Sequence, residues 1–517
     1  MTSSRSLTAL LALLALSLPL LATLIPTASG GIADQAIRRT VAPRFFNATN
    51  LDACKAIEAA IDRTATPVST LEYFGGFNYL LSTGRYISSA ANTPTCVFIP
   101  TTPKDLASAV KIIGQKRISF AVSSGRHASN AGFSSTTGVE ISLKGFQHVT
   151  LSQDKSYVDV GSGNIWDNVY AALEGSGYNI VGGRVTGVGV GGFITGGGGF
   201  SWKTNQYGLT IDTLLQADLV TPSGKVQTVT AASDPDLFWA IKGGGNRFGV
   251  IYNFRLKSVP QVAQVWGGLR TYTQDQLDNV VQATYDFAVH NKDPKAQVIP
   301  TINHVLGQPG VSLLAFYDGP TPPADVFAAF NKPGFNTFTS DWKTRSFGDL
   351  VRSSPSNATA GQRGAFHSVT FKSYSIPILQ QIVNQTRYYG SQQPFHSGVF
   401  TSYDVEPFLP NYAAGTNKGG AWPHDQSPLP LNIYFTWLNP LDDAFWAKEI
   451  KKTAALLRAQ AVKEGQNLDD VYLYPNYAIA GTSSNKVYGP QSAQRLRTLR
   501  KKYDPKNVMG LTTYFEF

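Results

Sequence analysis

The sequence predicts an α+β protein of two parts, and three observations lead there. Between about residues 97 and 258, short apolar runs alternate with capped helical patterns. After Pro260 the glycine runs stop, and strand patterns mix with long amphipathic helices. A chain of 517 residues, 42% of them hydrophobic, is long enough for more than one core.

Taken in order, Val97-Phe98-Ile99 is a short strand. Thr102-Pro103-Lys104-Asp105 then gives an N-cap, a proline in the first turn and an acid, ahead of Leu106, Val110 and Ile113 at helical spacing. Ile118 to Val122, Val139 to Leu143 and Tyr157 to Val160 read as strands, and Ile165 to Leu173 as a helix. Leu214 to Val220 and Val226 to Val229 flank a turn at Pro222-Ser-Gly-Lys225. Ser233-Asp-Pro235 starts a helix through Trp239, and Val250 to Leu256 is a strand. Beyond Pro260 the pattern gives strands Val311 to Tyr317, Gly398 to Val405 and Leu431 to Trp437, with helices Ala324 to Phe330 and Leu441 to Gln460.

Charge and cysteine content exclude several classes. The net charge is +10, from 44 Lys+Arg against 34 Asp+Glu, but it is spread without the like-charged block of a nucleic-acid arm. Two cysteines cannot build a disulfide-framework protein. Seven histidines without H-E-x-x-H or paired spacing argue against a metal site, and no G-x-S-x-G elbow marks a serine hydrolase.

At the N-terminus, Arg5 precedes an apolar run from Leu7 to Leu21, followed by Ala28-Ser29-Gly30, the layout of a secretory signal peptide over residues 1–30. The run is shorter than the ~20 apolar residues a spanning helix needs, so no membrane span is expected. Sequons at Asn47, Asn357 and Asn384 agree with a secreted glycoprotein, and secretion permits a bridge between Cys54 and Cys96.

Glycine carries the chemistry. The segment from Gly182 to Gly199 holds ten glycines in eighteen positions, a backbone that can approach a ligand closely and aim N–H groups at an anion. Gly187-Val-Gly189-Val-Gly-Gly192 spells G-x-G-x-x-G with Asp212 about twenty residues on, the letters of a dinucleotide fingerprint. A Rossmann unit needs a helix directly after it, and the glycines at 196–199 make an amphipathic helix there unfavourable. A second loop, Ser123-Ser124-Gly125-Arg126-His127-Ala128-Ser129, follows the strand ending at Val122. A third segment runs Asp234-Pro-Asp-Leu-Phe-Trp-Ala-Ile-Lys-Gly-Gly-Gly-Asn-Arg-Phe-Gly-Val250.

In this order and spacing the three segments resemble the berberine bridge enzyme-like flavoproteins of the vanillyl-alcohol oxidase superfamily. Tyr474-Pro-Asn476-Tyr477, Tyr488-Gly489 and Lys502-Tyr-Asp-Pro505 resemble that family's closing motifs. The resemblance implies a PCMH-type FAD-binding domain of two subdomains over residues 31–258 and an α+β substrate-binding domain with an antiparallel sheet over 259–465. A C-terminal segment, 466–517, returns to the FAD domain. His127 then matches the histidine joined to the 8α-methyl of FAD, and Ser123 to Ala128 wrap the pyrophosphate, with Arg126 in place of a glycine. Ser129, Val185, Thr186, Gly187, Val188, Gly191, Gly192, Thr195, Gly196, Gly197, Gly198, Gly249, Ile251 and Asn476 complete the implied cofactor contacts.

Val185 stands where relatives that attach the flavin twice have a cysteine, so a single link through His127 is expected. Phe193 replaces a further histidine of the family. Val188 occupies the place where valine is associated with room for O2 beside the flavin.

A base is wanted near the flavin to take a proton as a hydride leaves. Tyr474 matches by motif, with Asp404, Glu406 and His424 as alternates. The resulting expectation is a secreted FAD-dependent oxidase that removes hydride from a C–OH or C–N carbon of a small organic molecule and passes electrons to O2. Its substrate class is a secondary metabolite or, alternatively, an oligosaccharide. The reading from another class is a flavin-bearing cyclase or binding protein without net redox turnover.

Overall fold

The computed structural model describes residues 47–305, 307–414 and 419–517. The expected signal peptide lies outside them. The described residues belong to one compact unit, and among them no helix is long and apolar enough to cross a membrane.

Two small sheets, a two-stranded pairing of Tyr178–Asn179 with Val259–Pro260 and one large sheet organise the described residues. The first has strands in the order Thr70–Tyr73, Cys96–Ile99, Val139–Ser142 and Phe120–Ser123, with parallel pairing of the last three. Helix Pro103–Lys116 packs on it, capped as expected by Thr102, whose side chain accepts the Asp105 N–H. Leu106, Val110 and Ile113 are fully buried on its inner face. Cys54 of helix Ala48–Ala59 is disulfide-bonded to Cys96 of the second strand.

The second sheet is antiparallel, in the order Val149–Leu151, Tyr157–Gly161, Val250–Lys257, Leu214–Val220 and Val226–Val229. The glycine segment lies against this sheet. A helix does open inside it: Val190–Thr195 forms a turn and a half and stops at Gly196. No helix is expected here from the sequence, and the glycines at 196–199 limit the one that forms to six residues.

Beyond Pro260 the chain forms an eight-stranded antiparallel sheet. Its main path runs Thr339–Ser340, Val265–Thr273, Gln308–Tyr317, Ala296–Val305, Gly398–Asp404, Leu429–Trp437 and Arg363–Phe371, with Lys343–Arg345 pairing beside it. Helices Leu277–His290, Ile376–Gln392 and Asp443–Lys463 bury an apolar stripe against this part of the chain. The helix expected over Ala324 to Phe330 is not one. That stretch is turns and a short 3-10 segment, Ala328–Asn331. Proline pairs it between Pro323 and Pro333, and Lys332 before the second proline is extended, so the run is too short to nucleate a helix.

The C-terminal residues return to the second sheet's side. Helix Ser484–Tyr503 bends at Gly489-Pro490 and packs on helix Pro235–Ile241, with Arg495 and Lys502 both paired to Asp236. Arg247, 1% exposed, donates to the carbonyls of Met509, Thr512 and Tyr514 and pairs with Glu516.

Candidate functional site

The loop after strand Phe120–Ser123 and the glycine segment are locked together. A Cβ on Gly125 would lie 2.3 Å from the Gly189 nitrogen, and a Cβ on Gly189 would lie 2.1 Å from the Gly125 nitrogen. Only two glycines let the backbones cross this closely. Ser124 Oγ donates to Ser162 O at 2.7 Å and accepts the Gly191 N–H, while Ser162 Oγ donates to Ile251 O. Ile251 therefore lies in the supporting sheet, and Gly249, just ahead of its strand Val250–Lys257, packs against the Val220 carbonyl. Ser123 Oγ is turned away, donating to Glu140, and Ser129 Oγ accepts the Phe366 N–H from the large sheet. Ala128 and Val185 are half-buried.

His127 stands at one end of this glycine segment. Its Nε2 lies 3.2 Å from the position of a Cβ on Gly187. Burial pulls its pKa down to about 4, with Asp167 pulling weakly the other way, so the imidazole is neutral at pH 7 and a ring nitrogen can act as a nucleophile. Asp167 holds the backbone beside it, accepting from Thr186 Oγ1 and from the Gly187 N–H at 2.8 Å. Val188 is half-buried against the core, its carbonyl taking the Trp166 N–H. Thr195 Oγ1 bonds to Gly191 O within the short helix.

At the other end stands a buried polar cluster. Asn476 Nδ2 donates to Phe193 O and to the Tyr474 hydroxyl, and a Cβ on Gly196 would collide with Asn476. Gly197 packs on Trp422, and Tyr474 OH lies 2.6 Å from the place of a Cβ on Gly198. Phe193, at the family's histidine position, sends its ring into the core against Trp166.

Arg184, which carried no role in the sequence reading, pairs with Glu406 at 2.7 Å, the two side chains 7% and 1% exposed. Tyr477, also without a role there, donates to Glu406 and accepts from Arg184. Burial raises the Glu406 carboxyl against the pull of Arg184. Arg184 was hidden because it sits inside the glycine run whose backbone took the attention. Its signal was a lone guanidinium in an otherwise uncharged eighteen-residue stretch.

The four candidate bases separate by surroundings. Glu406 is committed to Arg184 and Tyr477. The Tyr474 phenol is raised well above 10 by burial, so it stays protonated. His424 is stacked on Trp422, which in turn packs on Tyr474, and its ring bonds Asp212 at 3.0 Å and Trp422 O. It lies behind the cluster, facing a cavity of about 160 Å³ beside Asp470 and Tyr472. Asp212 is thereby turned to His424 and to the Leu209 N–H, the opposite of a nucleotide-facing acid. Asp404 is half-buried on strand Gly398–Asp404, held through Oδ2 by Asn432, and burial raises its pKa. Hydrogen bonds from Thr301 and Asn432 oppose that rise, and a carboxylate whose pKa is raised while its position is held is suited to receive a proton.

The residues fit a flavin dinucleotide. A Cβ on Gly192 would meet nothing within 4 Å, so open space lies beside the short helix at that residue. The three sequons are exposed at Asn47, Asn357 and Asn384.

Residues 94–230 match the FAD binding domain family. An FAD-linked oxidoreductase of Arthroderma benhamiae is 34% identical over 254 residues, 48% of this chain and 50% of that one, so the chain spans half the length of this relative. The FAD-dependent monooxygenase drtC of Aspergillus calidoustus is 27% identical over 466 residues, 87% of each chain. Among solved structures, glucooligosaccharide oxidase from Acremonium strictum, which carries a 6-S-cysteinyl, 8α-N1-histidyl FAD, superposes with a TM-score of 0.71 at 19% identity. The superposition covers 89% of this chain and 99% of that one. Fold, glycine-lined loops and domain match converge: residues 94–230 form an FAD binding domain, in a chain whose fold is shared with FAD-bearing oxidases.

Proposed function

We propose that this protein is a secreted oxidase that takes hydride from a C–OH or C–N carbon of a small organic molecule and delivers the electrons to O2, giving H2O2. The observation that carries the reading is one glycine segment that meets a neutral His127 at Gly187 and the Tyr474–Asn476 pair at Gly196–Gly198, with the Arg184–Glu406 pair and Asp404 within electrostatic reach of each other.

His127, Gly125, Gly187 to Gly192 and Asn476 hold the FAD, with a single histidyl link because Val185 cannot form a second. The bound flavin supplies the hydride acceptor. Asp404 takes the substrate proton, and its raised pKa makes it a stronger base than a solvated carboxylate. Tyr474 donates a hydrogen bond to the substrate oxygen or nitrogen. Arg184 and Glu406 fix the surrounding rings, the guanidinium lying over Phe200 and Phe408 at 5.9 and 5.4 Å. Val188 leaves O2 its approach.

An aromatic wall of Tyr86, Phe366, Phe400 and Tyr434 near His127 suits a flat secondary metabolite. Likeness to a carbohydrate oxidase keeps oligosaccharides as the second class.

Anaerobic addition of donors from both classes should bleach the flavin absorbance, with peroxide appearing when air returns. If no donor in either panel bleaches it, the oxidase reading fails and the cyclase or binding role replaces it. Asp404→Asn should slow reduction by about 10²–10⁴-fold.

A further inference from the structure

Tyr86 belongs to none of the cofactor motifs, yet three sets of contacts converge on it. Its ring lies parallel to the His127 imidazole, centroids 4.0 Å apart and planes 13° apart. Its backbone N–H donates to Arg126 O at 3.2 Å. Its hydroxyl bonds to Ser356 O at 2.7 Å and to Thr359 Oγ1 at 3.1 Å, and Tyr434 also donates to that threonine oxygen. One side chain thus joins the histidine loop to the large sheet.

The backbone that carries Tyr86 is held from both sides. Arg85, fully buried, pairs with Glu140 at 2.6 Å and donates to the carbonyls of Ser82, Thr83 and Gly84. Glu140 also accepts from Ser123 at the start of the histidine loop. The Arg126 guanidinium donates to Leu81 O. Arg126 does this at φ 61, a conformation that costs an L residue about 1 kcal/mol and that a glycine would take freely. Its side chain offsets that cost by tying helix Phe77–Thr83 to the loop.

An imidazole that bonds through one nitrogen needs its plane fixed. Among the described residues His127 has no hydrogen-bond partner, and the stack on Tyr86 is what orients it. We propose that Tyr86 is a positioning residue for His127, setting the ring plane and thereby the rate at which the covalent flavin link forms. The proposal rests on His127 as the attachment point. In that reaction the imidazole nitrogen bonds to the 8α carbon. The N–H proton and one methyl hydrogen end on the reduced ring system, and O2 then takes two electrons and two protons as H2O2.

The test uses the full chain produced under riboflavin limitation, then given FAD. Flavin that stays with the acid-precipitated polypeptide is followed over time, and reversible FAD affinity is measured separately. Wild type and Tyr86→Phe should link at the same rate, Tyr86→Trp within threefold, and Tyr86→Leu at least tenfold slower, with reversible affinity within threefold of wild type. Wild-type speed in Tyr86→Leu overturns the proposal, as does loss of reversible FAD binding in that variant, which would mark a structural role. Should Tyr86→Leu fail to fold, Tyr86→Trp decides: a tenfold loss there overturns it. A wild-type protein that releases all its flavin in acid refutes His127 attachment instead, and His127→Ala serves as the unlinked reference.

Discussion

Two histidines make the protein sensitive to acid. Burial lowers both His127 and His367 to about 4, and His367 Nδ1 accepts the Ile479 N–H, which requires the neutral ring. In the unfolded chain each takes a proton near pH 6.5. Stability from these groups is therefore full above about pH 6.5 and is lost as pH falls toward 4, on the order of 2–3 kcal/mol for each. The urea midpoint of the flavin-free protein should drop across that window, and His367→Gln should flatten the drop. A different cost attends Arg184→Met, which leaves Glu406 buried without its cation. Urea denaturation should show a loss of about 3–5 kcal/mol, largely recovered in the double variant with Glu406→Leu. Motif matching reached Tyr474, Asn476 and His127, and Tyr477 without a role, but not Arg184 or Tyr86. Their partners lie far off in the sequence, with Tyr477 and Glu406 71 residues apart and Tyr86 and Ser356 270 apart, and a pair such as Arg184 and Glu406 has no local spacing to betray it.

Among elements, the glycine segment gives the sharpest contrast. Gly189 faces a backbone that cannot yield, so Gly189→Ala should separate the two loops, costing about 1–3 kcal/mol or more and abolishing flavin retention. Gly192 lies in helix Val190–Thr195 with open space beside it. Gly192→Ala should raise the melting temperature of the flavin-free protein, by about 1 kcal/mol of helix propensity, while lowering flavin uptake in the same preparation. Most elements between residues 97 and 258 were readable because each is short, apolar and bounded by turn residues, whereas helices Ala48–Ala59 and Phe77–Thr83 and strand Thr70–Tyr73 ahead of them were not. Afterwards the signals conflict. Strand Val265–Thr273 contains Gly267-Gly268, and strand Ala296–Val305 contains Pro300, a residue that argues against a central strand. The structure tolerates Pro300 because its carbonyl faces Val405, where the neighbouring strand has just ended, so no partner there lacks a donor. Helices Leu277–His290 and Ile376–Gln392 escaped notice for a related reason: their Val, Ile, Thr and Tyr content favours strand, and packing on the large sheet overrides it.

At the scale of the whole molecule, the disulfide closes a loop with a sequence separation of 42 residues around the first sheet. Cys54→Ser with Cys96→Ser should lower the unfolding free energy by about 2–5 kcal/mol in urea titrations, and a reductant should reproduce the loss in wild type. The other long-range tie is Arg247, which is buried in mid-chain and finds its carbonyl partners only at Met509, Thr512 and Tyr514. The same C-terminal stretch closes on the glycine turn beside that arginine, where a Cβ on Gly245 would lie 2.3 Å from the Tyr514 ring. Residues more than 260 positions apart are thus fastened at one point, so loosening residues 509–514 unfastens the turn after helix Pro235–Ile241 as well.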